Sequence, residues 1–436
     1  MSSDDRPSAA VVGGGIAGLV AAYLLRHSHR VTLLEADERL GGHADTHDVT
    51  APDGTALQVD SGFIVHNDRT YPVLLRLFGE LEVPTRPTEM SMSITCDECG
   101  LSFAGGRGVG GLLAQPTRLL DRRYRRLLRQ VPRFHRAGLA ELARADAGDT
   151  TGDALTWGGF LERGGFDDYF VRHYAVPLVS CVWSSGHEDA RAYPVRHLLR
   201  FLQHHGMLSV GGSPSWRTVA GGSRAYVQRV EAALREAGGE VVLGAPATRV
   251  VRDPDGVEVT TSGPAGELTR RVDAVVLATH ADVAAGLLAD PSPQEAADLA
   301  AVTYSQNPTV LHTDAGVLPD RGRARASWNY RLSNCDRDDD EVLVSYWMNR
   351  LHRLPEVGAE YVVTLNPRGR VADSSVIARR QYAHPVFTHA AVEAAARLRG
   401  AGGPRLAFAG AHLGWGFHED GARSGAEAAG RLGGGW

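Results

Sequence analysis

The chain contains no lysine, so all 46 of its basic side chains are arginines. That excludes a Schiff base or a general base built on a lysine amine. Cysteine is scarce as well: Cys96, Cys99, Cys181 and Cys335 are the four in 436 residues, too few for a disulfide scaffold and suited to a reducing compartment. The expected location is cytoplasmic. Long apolar runs are missing. The best candidate, residues 9–25 (AAVVGGGIAGLVAAYLL), follows the non-basic MSSDDRPS, is broken by three glycines, and falls short of the ~20 residues that a bilayer span needs. Neither sign of charge dominates: 46 basic against 51 acidic groups leave a net charge of -5, which provides no general field to hold nucleic acid.

What is present is ordinary globular composition, 43% apolar and 22% charged, in a chain long enough for several domains and a cleft between them. Ala9 to Val12 is a short apolar run, followed by glycines, then Ile16 to Leu25 with helical periodicity, then Arg30 to Leu34 as a second strand that Glu35 closes. Gly13, Gly15 and Gly18 form GxGxxG between strand and helix. Gly13 permits the turn, Gly15 lets a pyrophosphate approach the backbone, and Gly18, with Ala17 beside it, allows close helix packing. Glu35, with Ala36 after it, stands where an acid accepts hydrogen bonds from a ribose diol. The opening is that of a dinucleotide-binding unit.

Further along, Asp60 to Asn67 reads as extended and Tyr71 to Glu80 as a helix beginning near its proline. Residues 118–136 set Leu119, Leu120, Leu127, Leu128, Val131 and Phe134 among eight arginines, an amphipathic helix with a cationic face. Val227–Ala237 is helical, and Glu240–Leu243 and Ala247–Arg252 are strands. Asp255-Gly256 marks a hairpin turn, Val272–Ala278 a buried strand and Ala281–Leu288 a helix. Strands are also expected at Glu341–Trp347, Glu360–Leu365 and Arg405–Ala409, and a last helix from about Gly421 to Leu432. The fold class is α/β: a Rossmann-like nucleotide domain assembled from residues 1–90, 210–300 and 400–436, with an inserted α+β substrate domain from 91–209 and 301–399. No internal repeat or low-complexity segment occurs.

Three separated elements carry a resemblance. Gly41-Gly42, followed by His43, lies where flavoproteins related to amine oxidases and phytoene desaturases have a second glycine pair. FAG at Phe408–Gly410 and DGARSGAEAA at Asp420–Ala429 are similar to the C-terminal element by which that superfamily holds its flavin. GFIVHNDRTYP (62–72), PSWRTVAGGSRAYV (214–227), LHTD (311–314), SWNY (327–330), YWMNRL (346–351), TLNP (364–367), HPVF (384–387) and GWGFHEDG (414–421) extend it over nearly the whole chain. They resemble a bacterial family of FAD-dependent oxidoreductases and the flavin-binding N-terminal region of plant cyclopropane fatty-acid synthases. The resemblance implies FAD, held by Gly13, Gly15, Ala17, Gly18, Glu35, Ala36, Gly42, His43, Gly62, Phe63, Val250, Gly410, Glu419, Asp420, Gly421 and Ala422. It also implies an unsaturated or cyclopropanated acyl lipid as substrate and a lipid methyltransferase as partner. Two departures, His43 where amine oxidases usually carry arginine and the missing lysine, weaken ordinary amine oxidation.

Flavin dehydrogenation needs a C–H bond held over the flavin with water excluded, and often a base. His418 is the first candidate for that base or for a group that polarises the flavin; the alternative is a capping role beside Glu419 and Asp420. Tyr330 and Tyr346, with Trp328, Asn329 and Trp347, are candidates for the wall of an aromatic pocket. Gly62 and Phe63 are better placed for flavin packing than His66 for catalysis. Cys96 and Cys99 form a single CxxC with no second pair and no nearby histidine cluster, so they read as reduced, incidental cysteines and no metal is expected. The arginine-rich helix reads either as a solvated face or as a peripheral contact with an anionic membrane. Alternative activities are oxidation of a small amine, alcohol or biosynthetic intermediate, and a flavin-loaded partner role without turnover.

Overall fold

The glycine turn after the first strand sets the architecture. In the computed structural model, which describes residues 6–184, 186–209, 211–263, 266–335 and 343–436, strand Ser8–Val12 lies parallel between Arg30–Leu34 and Ala274–Leu277. Glu240–Val242 extends this sheet on one side and Leu406–Phe408 on the other, giving five parallel strands. Parallel strands covered on both faces read as continuous apolar runs, and AAVV, VTLL and AVVL fit that rule. Helix Ile16–Leu25 is buried at every residue. It packs against helices Arg224–Glu236 and His418–Arg431, so the chain's last helix lies on its first.

A three-stranded antiparallel sheet, Ala247–Asp253, Gly256–Gly263 and Gly266–Val272, follows the expected hairpin. Its third strand takes Val272, and Asp273 separates it from the buried strand Ala274–Leu277, one strand more than the sequence reading has there. The third large unit is a seven-stranded mixed sheet in the order Val376–Val386, Thr303–His312, Val362–Leu365, Leu343–Trp347, Trp328–Leu332, Met92–Cys96, Ser102–Gly105. Of the strand expected at 341–347, Glu341 and Val342 lie outside the described residues. Asp60–Asn67, expected as one extended stretch, is strand only at its ends, in Ala56–Asp60 and His66–Asn67; the remaining strands and helices agree with the expected elements to within a few residues at their ends.

Helices between residues 108 and 204 cover this sheet and bury Tyr124, Phe134, Trp157, Phe160, Phe170 and Leu198 in one core. The arginine-rich segment differs from expectation. Its helix runs Arg122–Asp146, begins at Asp121, which accepts from the Arg123 amide, and continues through Pro132. Leu119 and Leu120 sit in a preceding 3-10 turn, and Leu120 is 83% exposed rather than on the buried face. The last helix starts at His418, three residues before the expected start, because Asp420 accepts from the Phe417 amide at 3.0 Å and closes a turn there.

Candidate active site

One continuous cavity of about 1620 Å³ runs from the first glycine turn into the helical layer. Gly13, Gly15 and Ala17 line its beginning. Gly13 has φ 103°, and a Cβ there would meet the Ala278 carbonyl at 2.7 Å; at Gly15 a Cβ would enter open space. The helix that starts here has no side-chain cap and no acid in its first turn, so its unpaired amides are available to an anion. Gly18 lies outside the wall, and its role is packing: a Cβ would come 1.8 Å from the Gly13 carbonyl.

Glu35 also lines the cavity, with one oxygen accepting from the Gly14 amide at 2.6 Å and the other from Asp37 at 2.9 Å. The second glycine pair touches the first: Gly41 donates to the Gly14 carbonyl, and Gly42, at φ 56°, faces Gly15. Arg39 is occupied in holding this turn, donating to the Gly42 carbonyl at 2.9 Å and pairing with Asp45. Gly62 and Phe63 continue the wall. A Cβ at Gly62 would collide with the His43 carbonyl, which accepts from the Phe63 amide at 2.7 Å. Gly410 and His418 close the far side. The uncapped amides, the acid beyond the second strand and the glycine-lined approaches fit an elongated dinucleotide. Gly13, Gly15, Ala17, Glu35, Gly42, His43, Gly62, Phe63 and Gly410 all stand in one wall able to hold it.

Other expected site residues lie elsewhere. Ala36 is exposed and does not line the cavity. Val250 is fully buried, paired with Val259 and bridged to Leu288, because the antiparallel sheet turns it into the core beneath. Glu419 uses both oxygens on the Val73 and Leu74 amides, at 2.9 and 3.0 Å, and so caps helix Pro72–Glu80, whose own cap position offers no side-chain bond. Asp420 caps its own helix and pairs with Arg423. Gly421 and Ala422 are buried where the last helix meets the first; a Cβ at Gly421 would strike Ile16. These four place the helix end beside the cavity without lining it.

Of the aromatic candidates, Trp328 and Tyr346 line the cavity with rings edge to face, centroids 5.4 Å apart. Tyr330 does not: it lies deeper along its strand, buried with Ile94 and Val344 in the helical core, which keeps it out of the cavity wall. Asn329 bonds Ser93 and the Ser345 carbonyl, and Trp347 donates to Glu360. His66 is fully buried against Phe78 and lies outside the wall.

His418 stands between Phe63, on which its ring stacks, and the Tyr226 hydroxyl. Burial, then His66, pushes its pKa down to about 3. Around His43 the fold gathers a group the sequence reading missed: His280, His384 and His412, all in the same wall, with Tyr382 stacked on His43 at 4.7 Å. Burial lowers all four histidines, so this part of the wall is polar and uncharged. HPVF at 384–387 was the available signal for His384. Also missed was Ser184, a non-glycine residue at φ 54° in the wall, whose hydroxyl meets Tyr346. Burial raises the Tyr346 phenol, which stays protonated.

Beyond Trp328 and Tyr346 the wall is mostly apolar, with Met92, Phe103, Leu112, Leu127, Leu128, Val131, Leu178 and Val182 beside the polar groups of His135, Tyr174 and His205. Among the described residues its acidic side chains are Glu35, Asp37 and Glu38, all at the ribose end.

A family model for flavin-containing amine oxidoreductases matches residues 16–315, and the chain belongs to this family. It is an FAD-dependent oxidoreductase. A putrescine oxidase variant shares the fold over 98% of this chain and 99% of its own, with TM-score 0.69 and 16% identity. Cyclohexylamine oxidase from Brevibacterium oxydans IH-35A matches over 98% of both chains with TM-score 0.67 and 16% identity. A CLA-producing fatty acid isomerase from P. acnes does so over 98% of both chains with TM-score 0.66 and 15% identity. Carotenoid phi-ring synthase of Streptomyces griseus is 47% identical over 60 residues, which are 14% of this chain and 12% of that protein.

Proposed function

We propose that the protein desaturates or isomerises an unsaturated or cyclopropanated fatty acyl chain. The observation that carries this reading is the mostly apolar part of the cavity, whose described wall holds no carboxylate. The fold is shared equally with amine oxidases and with a fatty acid isomerase, so the support for one over the other comes from wall chemistry. An ammonium group entering here would lose its hydration without a counter-charge. A methylene chain gains about 0.8 kcal/mol for each buried CH2.

When bound, FAD supplies the hydride acceptor. On this reading Gly13–Ala17 hold its pyrophosphate, Glu35 its ribose, and His43, Phe63 and His418 surround its ring. Trp328 and Tyr346 narrow the passage to the acyl compartment and keep water from it. Titratable groups facing that compartment include His135, His205, Tyr174 and Tyr346; burial lowers the first two and raises the others, so all are neutral near pH 7. Net desaturation needs an acceptor for a proton, whereas removal of a hydride and its return to another carbon needs none. A neutral imidazole is such an acceptor, so His135 and His205 are the groups that net desaturation would use, and isomerisation would proceed without them.

The reading divides the chain into a Rossmann-like FAD domain, 1–90, 210–300 and 400–436, and an inserted substrate domain, 91–209 and 301–399. Leu120, 83% exposed, just precedes the exposed arginines of helix Arg122–Asp146, and Val109, 70% exposed, lies in the short helix Gly108–Leu112, where Gly108 and Leu112, with Gly106 before them, line the cavity. This corner suits peripheral contact with an anionic bilayer from which an acyl chain enters. No helix among the described residues is long and apolar enough to cross one. Association with a lipid methyltransferase, implied by the resemblance to cyclopropane synthases, makes unsaturated phospholipid chains the first substrates to try.

The test is anaerobic mixing of the FAD-loaded protein with unsaturated phospholipids and fatty acids, and separately with putrescine and cyclohexylamine. Lipid products are followed by mass spectrometry and the flavin by its visible bands. A shifted double bond or a bleached flavin with lipid is expected. Bleaching by an amine, with every lipid unchanged, would overturn the reading.

A further inference from the structure

Cys96 and Cys99 look isolated in sequence, but the fold brings them partners. Strand Met92–Cys96 runs parallel to Trp328–Leu332, with Leu332 opposite Cys96. The chain leaving the second strand thus carries the Cys335 sulfur to 3.6 Å from that of Cys96. From the helical layer, the π-turn Val171–Ala175 presents His173, whose Nε2 lies 3.6 Å from the Cys335 sulfur and 3.8 Å from that of Cys99. The four ligand atoms all lie within 4.8 Å of one another.

We propose that Cys96, Cys99, Cys335 and His173 bind one Zn²⁺ in a closed tetrahedral site. Zn–S bonds of about 2.3 Å and a Zn–N bond of about 2.0–2.1 Å at tetrahedral angles separate neighbouring ligand atoms by about 3.5–3.8 Å. The three separations of 3.6, 3.6 and 3.8 Å match that figure. A disulfide needs about 2.05 Å between sulfurs, and all four cysteines of the chain are free. A thiol pair alone would not explain why a third sulfur and an imidazole nitrogen converge on the same point.

The surroundings fix these groups as ligands. His173 Nδ1 donates to the Tyr169 carbonyl at 3.0 Å, which settles the tautomer and leaves the Nε2 lone pair facing the sulfurs. Gly100, at φ 65°, returns the chain after Cys99 so that the Cys96 amide bonds the Leu101 carbonyl. The Cys335 amide donates to Glu98 at 2.7 Å. His173 and Cys96 are fully buried, Cys335 is 9% exposed and Cys99 is half-buried; four protein ligands fill the tetrahedron and leave no position for a reactive water, so the site is structural. As three Zn–S bonds form, three thiol protons pass to solvent. The ion would tie the seven-stranded sheet to the helical segment bearing Tyr174 and Leu178, two residues of the cavity wall.

The experiment is metal analysis of the full-length flavoprotein, purified without chelator or immobilised metal, followed by zinc-edge X-ray absorption. About one zinc per chain is expected, with a shell of three sulfurs at about 2.3 Å and one nitrogen at about 2.0–2.1 Å. Zinc should fall at least tenfold in Cys99→Ser and His173→Gln. Should those variants fail to fold, wild-type protein stripped of zinc and given Co²⁺ must still develop the charge-transfer and d–d bands of a tetrahedral thiolate site. Metal-free wild-type protein that takes up no Co²⁺, a shell of nitrogen and oxygen alone, a Cys96–Cys335 disulfide, or one iron in place of zinc would each overturn the proposal.

Discussion

The imidazole of His418 lies flat on the phenyl ring of Phe63, with centroids 3.8 Å apart and planes within 5°, while its Nε2 meets the Tyr226 hydroxyl at 2.7 Å. Burial raises the Tyr226 phenol and lowers His418 to about 3. The tyrosine therefore keeps its proton and donates it, and the ring is neutral and rigidly held.

It follows that flavin reduction by substrate shows no inflection at the ordinary histidine value of 6.5. His418→Phe keeps the flat ring and removes both nitrogens, and its reduction rate is expected to fall about tenfold, the equivalent of one hydrogen bond of about 1.4 kcal/mol. Stopped-flow pH profiles of both proteins check this; an inflection near 6.5 that the variant loses would assign the ring a charged role instead.

Glu419→Ala leaves the Val73 and Leu74 amides without their acceptor. A loss of at least about 1–3 kcal/mol in urea unfolding is expected. Burial raises Glu419 from 4.5 to about 7, so its contribution is present below 4.5 and is lost as the pH rises through 7. The variant should lack that part of the pH dependence.

Buried histidines act in the opposite sense. Burial depresses His66, His205 and His384 to about 4 and His412 to about 3. Their contribution is present above 6.5 and lost as the pH falls through 4. Melting temperature should decline on acidification below 6.5, and a rise measured by calorimetry would contradict the assignment of neutral rings.

Gly425→Ala would put a Cβ 2.2 Å from the Ala17 carbonyl, where backbone cannot yield cheaply. Separation of the two helix ends, loss of FAD and destabilisation of about 1–3 kcal/mol or more are expected. Gly430→Ala in the same helix meets nothing within 4 Å and should gain up to about 1 kcal/mol from helix propensity. FAD content and melts of the two variants separate packing from propensity.

Leu128→Trp fills the apolar compartment from a half-buried position. Turnover of long acyl chains should drop about tenfold or more, about 1.4 kcal/mol, while short chains are spared. Equal loss for both lengths would show that the compartment does not hold the chain.

The glycine turn was legible because its logic is local: Gly13, Gly15, Gly18 and Glu35 fall within one strand-helix-strand unit. The C-terminal motif carried His418 to the site for the same reason. Val250 and Tyr330 were not legible, since a buried strand shows which residues are apolar but not which face meets a cavity and which meets a core. His173 is 74 residues beyond Cys99, in a π-turn that no local pattern announces. Glu419 was assigned to the cofactor because its motif neighbours the site; its true partners, Val73 and Leu74, are set by how two distant helices cross.

The sheet that carries the glycine turn is completed only by Leu406–Phe408, and the cavity only by Gly410 and His418. During synthesis the turn leaves the ribosome about 400 residues before its opposite wall, which at ~5–20 residues per second is a delay of roughly 20–80 s. Throughout that interval the nascent chain exposes half a nucleotide cradle. Closure of the cradle therefore waits for residues 406–431, and helix His418–Arg431 acts as the clasp that brings its opposite wall into place.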